Sequence, residues 1–426
     1  MEAELMHKKM LLVPKIRFRE FGGELLPTIF GKVVESNLYG PRFNANDYCE
    51  SGNVKTIRGT DLGKDGEIKY QQVPLARLDE NTVASHKLMD GDIIMITTAE
   101  CGSTGVFRKQ EIDYLSSAYG VRIRLNELGY SYYFKYFFQT RLAKKEINSF
   151  IRKATVANLP GSDILKIKLY LPILCEQKKI ASFLSAVDQK IQQLTRKKEL
   201  LEQYKKGLMQ QVFTGALRFK DENGDAFPKW YEKNLGDVVN IMQSGISRKL
   251  SDLDIGLPVI RSNNLQNGRL DSADIKYWLS IDDQGANLDN YILNEGDLLI
   301  NFINSLAQIG KLALFKDLLK RKTIFTTNIL RLTFNKLVSS NYIFYYFHLK
   351  KYSDFIDSIT KPAVNQASFT TKDFKKFKIQ IPCLYEQKKI EAYLSNIDDK
   401  IASVNKQMTQ TQIFKNGLLQ QMFAAT

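Results

Sequence analysis

Apolar side chains recur at alternating steps of four and three residues in two stretches, a spacing that predicts long helices with a coiled-coil seam. The stretches run from 176 to 213 and from 386 to 423. A helix of this length extends about 57 Å. Lys198 and Lys205 interrupt the first seam, and Thr411 and Lys415 interrupt the second. We predict that the helices pack on each other through Ile180, Leu184, Val187, Ile191, Leu194, Leu201, Leu208, Ile390, Leu394, Ile397, Ile401, Val404, Met408 and Leu418.

The two stretches are copies of one segment. PILCEQKKIASFLS at residue 172 returns as PCLYEQKKIEAYLS at residue 382, and the offset of 210 residues holds to the end of the stretch. One isolated stripe would usually belong to an ordinary core helix, but two matched copies favour an antiparallel pair. Because such helices do not fit inside a domain of about 150 residues, we expect a rod between two globular parts.

The repeat continues outside the helices. Ile16-Arg17-Phe18 resembles Leu217-Arg218-Phe219, and Asp90-Gly91-Asp92 resembles Glu295-Gly296-Asp297. Strand-like runs at 93–97 and 298–302, with one aromatic helix per domain at 130–147 and 340–356, indicate α/β (α+β) domains. We predict two globular domains in pseudo-twofold positions, separated by two long antiparallel coiled-coil helices. The segments are an N-terminal extension at 1–15, a first domain at 16–170, a helix at 171–215, a linker and second domain at 216–380, and a helix at 381–426.

The charge of the chain favours a polyanionic partner. Its 61 Lys and Arg against 46 Asp and Glu give a net charge of +15. The two helical stretches hold eight basic and four acidic residues, and five and four, so 15 − 5 leaves +10 for the remainder. This distribution favours DNA contact by the domains. No apolar run approaches a membrane span and no signal peptide is recognisable, so we expect a cytoplasmic protein.

The chain resembles the specificity subunit (HsdS) of type I restriction-modification systems over nearly its whole length. The resemblance depends on the Pro-x-x-x-Glu-Gln-Lys-Lys-Ile helix starts at 172–180 and 382–390 and on the Arg-Phe-Lys-Asp-Glu-Asn-Gly linker at 218–224. It implies that each domain is a target recognition domain for one half of a split site in double-stranded DNA. It also implies that the helices space the halves and dock methyltransferase subunits.

The same resemblance implies where the chemistry resides. Two methyltransferase subunits would transfer a methyl group from S-adenosylmethionine to adenine, and a restriction subunit using ATP and magnesium could join them. We expect no catalytic, cofactor or metal site in this chain, because it lacks a glycine-rich cofactor loop, an Asn-Pro-Pro-Tyr type motif and a Walker loop. Its three histidines and four cysteines are too dispersed for a metal cluster.

Three regions of each domain combine residues that can contact DNA bases and phosphates. The first region follows a short apolar strand, and its Gly and Asn residues are equally typical of a turn. The second allows close backbone approach to phosphate, although its glycines also form hairpins. The third precedes the last strand, and contact is favoured there. The candidates are Arg58, Thr60, Lys64, Ser103, Thr104, Arg152, Lys153, Thr155 and Asn158 in the first domain, and Arg261, Asn263, Asn264, Gln266, Asn301, Lys361, Asn365 and Gln366 in the second.

Two other functions remain open from the sequence. Glu67 and Lys69 resemble the acidic-x-Lys core of many nucleases, but they lie in a predicted hairpin and the second domain has no equivalent. The long helices could alternatively serve a scaffold without DNA sequence preference. Methylation or cleavage assays and a selection from random duplexes distinguish these possibilities.

Overall fold

Residue contacts divide the chain into two units, each combining one globular domain with parts of both long helices. Unit 1 comprises Met1–Arg196 and Asn405–Thr426, and unit 2 comprises Lys197–Val404. The computed structural model describes residues 14–23, 25–153, 155–266, 268–279, 281–317, 319–363 and 366–423. Each unit is described by itself.

The domain of unit 1 is built on three small sheets. The four-stranded sheet is antiparallel in the order β2-β8-β5-β6, the three-stranded sheet has the order β4-β3-β7 with β3 and β7 parallel, and β1 pairs with β9. The strands are β1 Leu26–Ile29, β2 Val34–Tyr39, β3 Val54–Ile57, β4 Leu75–Ala76, β5 Ile93–Ile96, β6 Thr104–Val106, β7 Tyr114–Ser116, β8 Gly120–Leu125 and β9 Lys168–Leu171. The helices are α1 Glu80–His86, α2 Ser131–Phe137, α3 Arg141–Phe150 and α4 Gly161–Ile164, followed by the long α5 Leu174–Phe213.

The domain of unit 2 repeats this topology. Its main sheets have the orders β11-β20-β16-β18, β15-β12-β19 and β10-β23, with β12 and β19 parallel. The strands are β10 Tyr231–Asn234, β11 Val239–Ser244, β12 Leu257–Ile260, β13 Leu265–Gln266, β14 Arg269–Leu270, β15 Lys276–Trp278, β16 Leu298–Asn301, β17 Ile303–Asn304, β18 Leu312–Leu314, β19 Ile324–Phe325, β20 Ile329–Phe334, β21 Lys361–Pro362, β22 Ala367–Ser368 and β23 Lys378–Ile381. The helices are α6 Ser340–Tyr346, α7 Lys350–Ile359, α8 Thr371–Phe374 and the long α9 Leu384–Phe423.

The Gly-Asp turns have the same construction in both domains. Asp92 accepts a hydrogen bond from the Met89 amide and pairs with Arg124 at 2.8 Å. Asp297 accepts from the Asn294 amide and pairs with Arg331 at 2.7 Å. Burial raises the pKa of the Asp297 carboxyl despite the neighbouring guanidinium. The weak sequence similarity at these turns therefore reflects an internal structural repeat.

The predicted long helices are confirmed, and each consists of 40 residues. In unit 1 the start of α5 and the end of α9 share a core that includes Leu184 and Met422. In unit 2 the end of α5 and the start of α9 share a core that includes Leu208 and Leu394. The helices therefore pack antiparallel within each unit. Among the predicted seam residues, Ile191, Leu201 and Met408 are half-buried, and the others are buried.

The prediction of one aromatic helix per domain is wrong, because the segment forms two consecutive helices in each domain, α2 and α3 in unit 1 and α6 and α7 in unit 2. In unit 1, Thr140 ends the first helix region and caps α3 by accepting a hydrogen bond from the Ala143 amide. In unit 2, α6 and α7 are separated at residues 347–349. The apolar pattern continues through both breaks because the intervening Phe138 and Phe347 are themselves buried.

Candidate nucleic-acid interface

The three candidate regions of unit 1 meet where β3 and β5 end. The third region closes a loop through mutual backbone hydrogen bonds between Arg152 and Asn158, and Asn158 also bridges to Thr98 beyond β5. A side-chain carbon at Gly59, in the first region, would lie 3.6 Å from the Ile96 side chain. Segments 58–64, 97–104 and 152–158, without Ala154, which lies outside the described residues, therefore lie next to one another, and we call them the loop edge of unit 1.

Unit 2 has a loop edge of similar construction, formed by segments 261–266 and 301–308 with residues 361–363 and 366. Strand β22 pairs with β17 and with β21, which joins the second region to the third. The Asn301 side chain donates a hydrogen bond to the Ser262 carbonyl at 3.1 Å, which joins the second region to the first. Segments predicted independently along the sequence thus converge in both units.

The first region of unit 1 is a short 3-10 turn whose carboxylate holds an arginine. Asp61 is fully buried, accepts from the Arg58 amide at 2.9 Å and pairs with the Arg58 guanidinium at 3.1 Å. Gln72 also donates to Asp61 at 2.9 Å. The Arg58 side chain remains 43% exposed, so it is held in place and still available to a ligand. The turn and the contact interpretations are therefore compatible here, and Thr60 and Lys64 are exposed beside it.

In unit 2 the same turn is stabilised by an amide. The Asn264 oxygen accepts from the Arg261 amide at 2.8 Å, and its nitrogen donates to the carbonyls of Asp271 and Asp274 at 2.9 and 3.1 Å. The Arg261 guanidinium pairs with the exposed Asp274 carboxylate at 2.6 Å. Asn263 is exposed, and Gln266 is half-buried on β13.

The glycines of the second region have packing reasons of their own. Gly102 has a φ of +85°, and a side-chain carbon there would lie 2.7 Å from the Ile147 side chain. A side-chain carbon at Gly105 would lie 2.9 Å from the Leu62 side chain. The hairpin interpretation therefore accounts for these glycines without a ligand. Ser103 in the same segment is half-buried.

The third region carries a highly exposed cation of unit 1. Arg152 is 72% exposed, and its guanidinium lies 3.7 Å from the Asp163 carboxylate. Its neighbours Lys153, Thr155 and Asn158 are exposed as well. In unit 2, Lys361 and Gln366 are exposed on the corresponding hairpin, whereas the candidate Asn365 lies outside the described residues.

Three candidates are placed by the structure where DNA does not reach them. Asn264 is 1% exposed and Asn301 is fully buried, and their amide groups bond to backbone carbonyls. Thr104 is 8% exposed on β6. These side chains stabilise the loop edges, and we correct their assignment from DNA contact to a structural role.

The helix-start motif anchors each domain to its long helix. Gln177 donates to the carbonyls of Leu128 and Pro172 and accepts from the Tyr130 amide. In unit 2, Gln387 makes the same bonds with Leu337, Pro382 and Ser339.

The preceding glutamates bind the linkers. Glu176 pairs with Arg17 at 2.7 Å, and Glu386 pairs with Arg218 at 2.7 Å. The motif therefore has a structural role in this chain.

In the nuclease-like pair of Glu67 and Lys69, the glutamate is engaged by other basic residues. The Glu67 carboxylate accepts from the buried Lys135 ammonium at 2.5 Å and lies 3.7 Å from Arg108. Lys69 is exposed. Among the described residues, no group of three or more His, Cys, Asp or Glu side chains is arranged to hold a metal ion.

Comparison with known proteins identifies the family. A family model for the type I restriction modification DNA specificity domain matches residues 31–203 and again residues 228–411. The chain belongs to this family. The double match also shows that the internal repeat consists of two copies of this family domain, since each match covers one globular domain and part of its long helix.

Named members of the family are similar to this chain over different lengths. The EcoKI specificity subunit of Escherichia coli K12 is 24% identical over 397 residues, which cover 89% of this chain and 83% of that protein. The putative MjaX specificity subunit of Methanocaldococcus jannaschii is 30% identical over 205 residues, which span 48% of each protein.

Solved structures show the same fold. The S subunit of a type I restriction-modification system from M. genitalium matches with a TM-score of 0.58 at 14% identity, covering 97% of this chain and all of that one. A second chain, from a study of complex assembly in the type I system, matches with a TM-score of 0.56 at 18% identity over 95% of this chain and all of that one. The α/β fold with two long helices is thereby confirmed.

In the described part of the chain, no helix is both long enough and apolar enough to cross a membrane. Charged residues are spread over 176–206 of α5 and over 386–415 of α9.

Proposed function

We propose that this chain is the DNA sequence-specificity subunit of a type I restriction-modification complex, with one loop edge reading each half of a two-part duplex site. The observation that carries the proposal is the convergence of three polar segments into one edge in each unit. Family membership supports the DNA-specificity role directly. Because the two edges differ in their side chains, the two half-sites should differ in sequence.

The accessible side chains of each edge suit the two kinds of DNA contact. Arginine can pair with guanine edges, whereas lysine neutralises phosphate as a point charge. In unit 1 we assign Arg58 to base contact and Arg152 and Lys153 to the backbone. In unit 2 we assign Arg261 to base contact and Lys361 to the backbone.

The catalytic chemistry belongs to partner subunits in this proposal. Two methyltransferase subunits would bind S-adenosylmethionine and methylate adenine, and restriction subunits using ATP and magnesium could join them in the cytoplasm. This chain would supply DNA recognition and the docking of its partners through the long helices. The proposal assigns it no catalytic residue.

Co-expression with a candidate methyltransferase, followed by mapping of methylated adenines, tests the proposal. We expect one two-part consensus with a constant gap. A selection from random duplexes that yields no consensus would instead favour a scaffold without sequence preference. Magnesium-dependent cleavage by the purified chain that disappears in Glu67→Ala would favour the nuclease.

A further inference from the structure

Two of the three lysines that interrupt the seams, Lys205 and Lys415, have carboxylate partners on the opposite helix. In unit 2, the Lys205 ammonium on α5 contacts both carboxylate oxygens of Asp398 on α9, at 2.7 and 2.9 Å. The Tyr345 hydroxyl on α6 donates to the same carboxylate at 3.0 Å. The Lys205 ammonium also lies 5.1 Å from the centre of the Tyr345 ring. One Lys-Asp-Tyr cluster therefore joins α5, α9 and the globular domain.

Unit 1 contains a corresponding cluster with the helices exchanged, in which the buried Lys135 ammonium on α2 also lies 3.8 Å from Asp188. The Lys415 ammonium on α9 lies 2.6 Å from Asp188 on α5, and Lys415 is 4% exposed. The Tyr136 hydroxyl on α2 donates to Asp188 at 2.8 Å. Burial and the charge of Asp188 raise the pKa of Tyr136, which keeps its hydroxyl protonated as a donor. The two clusters use equivalent repeat positions, because 188 + 210 is 398 and 205 + 210 is 415.

The apolar seam alone does not define how the helices align. A coiled-coil seam repeats every seven residues, so a shift of one heptad places apolar positions against apolar positions again. In the observed alignment, the numbers of facing residues sum to 603, as 205 + 398 and 188 + 415 show. Because α5 and α9 are each unbroken, a shift moves both lysines together.

Only the observed alignment gives both lysines a carboxylate. A heptad shift in one direction places one lysine opposite an acid and the other opposite an apolar residue, and the opposite shift places both opposite uncharged polar residues. The facing positions would be Glu391 and Ala181 in the first case, and Asn405 and Thr195 in the second. The first shift would also bring Lys198 opposite Asp398, but in both shifts Lys415, which is 4% exposed, loses its carboxylate. An unpaired ammonium at that buried position is strongly disfavoured, so charge favours the observed alignment.

We propose that Lys205, Asp398, Lys415 and Asp188 are positioning residues that set the register of the helix pair, with Tyr136 and Tyr345 coupling that register to the domains. The effect on the gap between half-sites rests on the proposed function. The effect on helix register does not, since it follows from the helix pair alone.

The test compares a variant that lacks the four charges, called the neutral variant, with a variant that conserves the charges of the lysines. The neutral variant removes all four charges but keeps an acceptor for each tyrosine hydroxyl; it is Lys205→Met, Lys415→Met, Asp188→Asn and Asp398→Asn. The conserving variant is Lys205→Arg with Lys415→Arg. The matched surface control is Lys206→Met, since Lys206 is the exposed neighbour of Lys205.

Register is measured by the distance between spin labels at the exposed positions Gln203 and Lys400, in a cysteine-free background of the full chain. We expect one distance for the parent chain, the conserving variant and the surface control. The neutral variant should show a second population displaced along the helix by about 10 Å, which corresponds to one heptad. A folded neutral variant that keeps one unchanged distance would overturn the proposal.

Methylation of targets with graded gaps gives the second readout, using the chain with its methyltransferase. The parent should prefer one gap by roughly tenfold or more, and the neutral variant should lose most of that preference while both half-sites stay the same. If the parent methylates no specific site, the proposed function fails, whereas the label distances still decide the register. Should the neutral variant not fold, Lys415→Met with Asp188→Asn, compared with Lys415→Arg by the same distance, takes its place, and a single unchanged distance would again contradict the proposal.

Discussion

At the scale of single residues, the two loop edges stabilise the same 3-10 turn with different side chains. Asp61 accepts hydrogen bonds from Arg58 and Gln72, whereas the equivalent Asn264 donates to two backbone carbonyls. The two groups are close in shape, but the carboxylate only accepts hydrogen bonds, whereas the amide accepts through its oxygen and donates through its nitrogen. Each residue therefore suits only its own turn.

Exchange of these two side chains should destabilise each unit. Asp61→Asn removes the charge that holds Arg58. Asn264→Asp removes the donor to the Asp271 carbonyl and one of the two donors to the Asp274 carbonyl, which Arg261 also reaches. We expect a loss of about 1–3 kcal/mol in each case. Urea unfolding measures the change, with Asn290→Asp at an exposed position of the same unit as the matched control. Unchanged unfolding midpoints in both variants would contradict the structural role assigned to Asp61 and Asn264.

Base and backbone contacts should separate in DNA-binding experiments. Arg58→Ala should relax one base position in one half-site by about 1–3 kcal/mol and leave the other half unchanged. Lys153→Ala should weaken binding to all sequences and lower the slope of log affinity against log salt by about one. Competition binding of the methyltransferase complex at several salt concentrations checks both. Equal weakening of all sequences by Arg58→Ala would place that residue on the backbone instead.

The positions of the contact segments could be predicted from sequence, but the orientation of their side chains could not. Asn263 and Asn264 are adjacent and identical in type, yet one is exposed and the other is buried. The local turn decides this difference, and nothing in the order of polar residues records it. Lys205 and Lys415 were similarly identifiable only as interruptions, although the matching offset of Asp188 and Asp398 was a signal for their partners.

At the scale of elements, the long helices were predictable because one periodic stripe extends over their whole length. Their start is fixed by Gln177 and Gln387, whose buried amides bind the preceding turns. The aromatic helices were misjudged because Phe138 and Phe347 continue the apolar pattern through the breaks. The spacing of apolar residues indicates which side chains are buried. It does not reveal a break in the helix when the side chains at the break are also buried.

Lengthening both helices by one heptad should lengthen the gap between half-sites. Seven residues inserted after Lys198 and seven after Val404 preserve the facing pairs on both sides and add about 10 Å to each helix. At about 3.4 Å per base pair, the preferred gap should grow by about three base pairs. Mapping of methylated sites checks this, and an unchanged gap would show that the helices do not set the spacing.

At the scale of the whole molecule, each domain begins and ends on paired strands. Strand β1 pairs with β9 in unit 1, and β10 pairs with β23 in unit 2. The two points at which a domain joins the remainder of the chain are therefore neighbours. This arrangement follows from the strand topology. The sequence repeat indicated where each domain begins and ends, but it did not indicate that the first and last strands pair.

Replacement of residues 16–170 by a foreign recognition domain should change one half-site only. The adjacent ends of the domain allow the exchange without altering the helix pair, so the gap and the second half should persist. Replacement of residues 216–380 is the reciprocal control and should change the other half. A change in both halves after either exchange would contradict independent reading.

The composition of unit 1 has a consequence for synthesis. Its core contains Leu418, Met422 and Phe423 together with residues from the first half of the chain, and the Phe423 ring lies 5.0 Å from that of Tyr133. The core of the domain that is translated first therefore stays incomplete until the end of α9 has left the ribosome, and that segment is the last of the described residues to do so. At about 5–20 residues per second, that wait lasts on the order of ten seconds or more. During this time the apolar surface reserved for the end of α9 is open to chaperones, whereas residues 197–404 can complete their own core first.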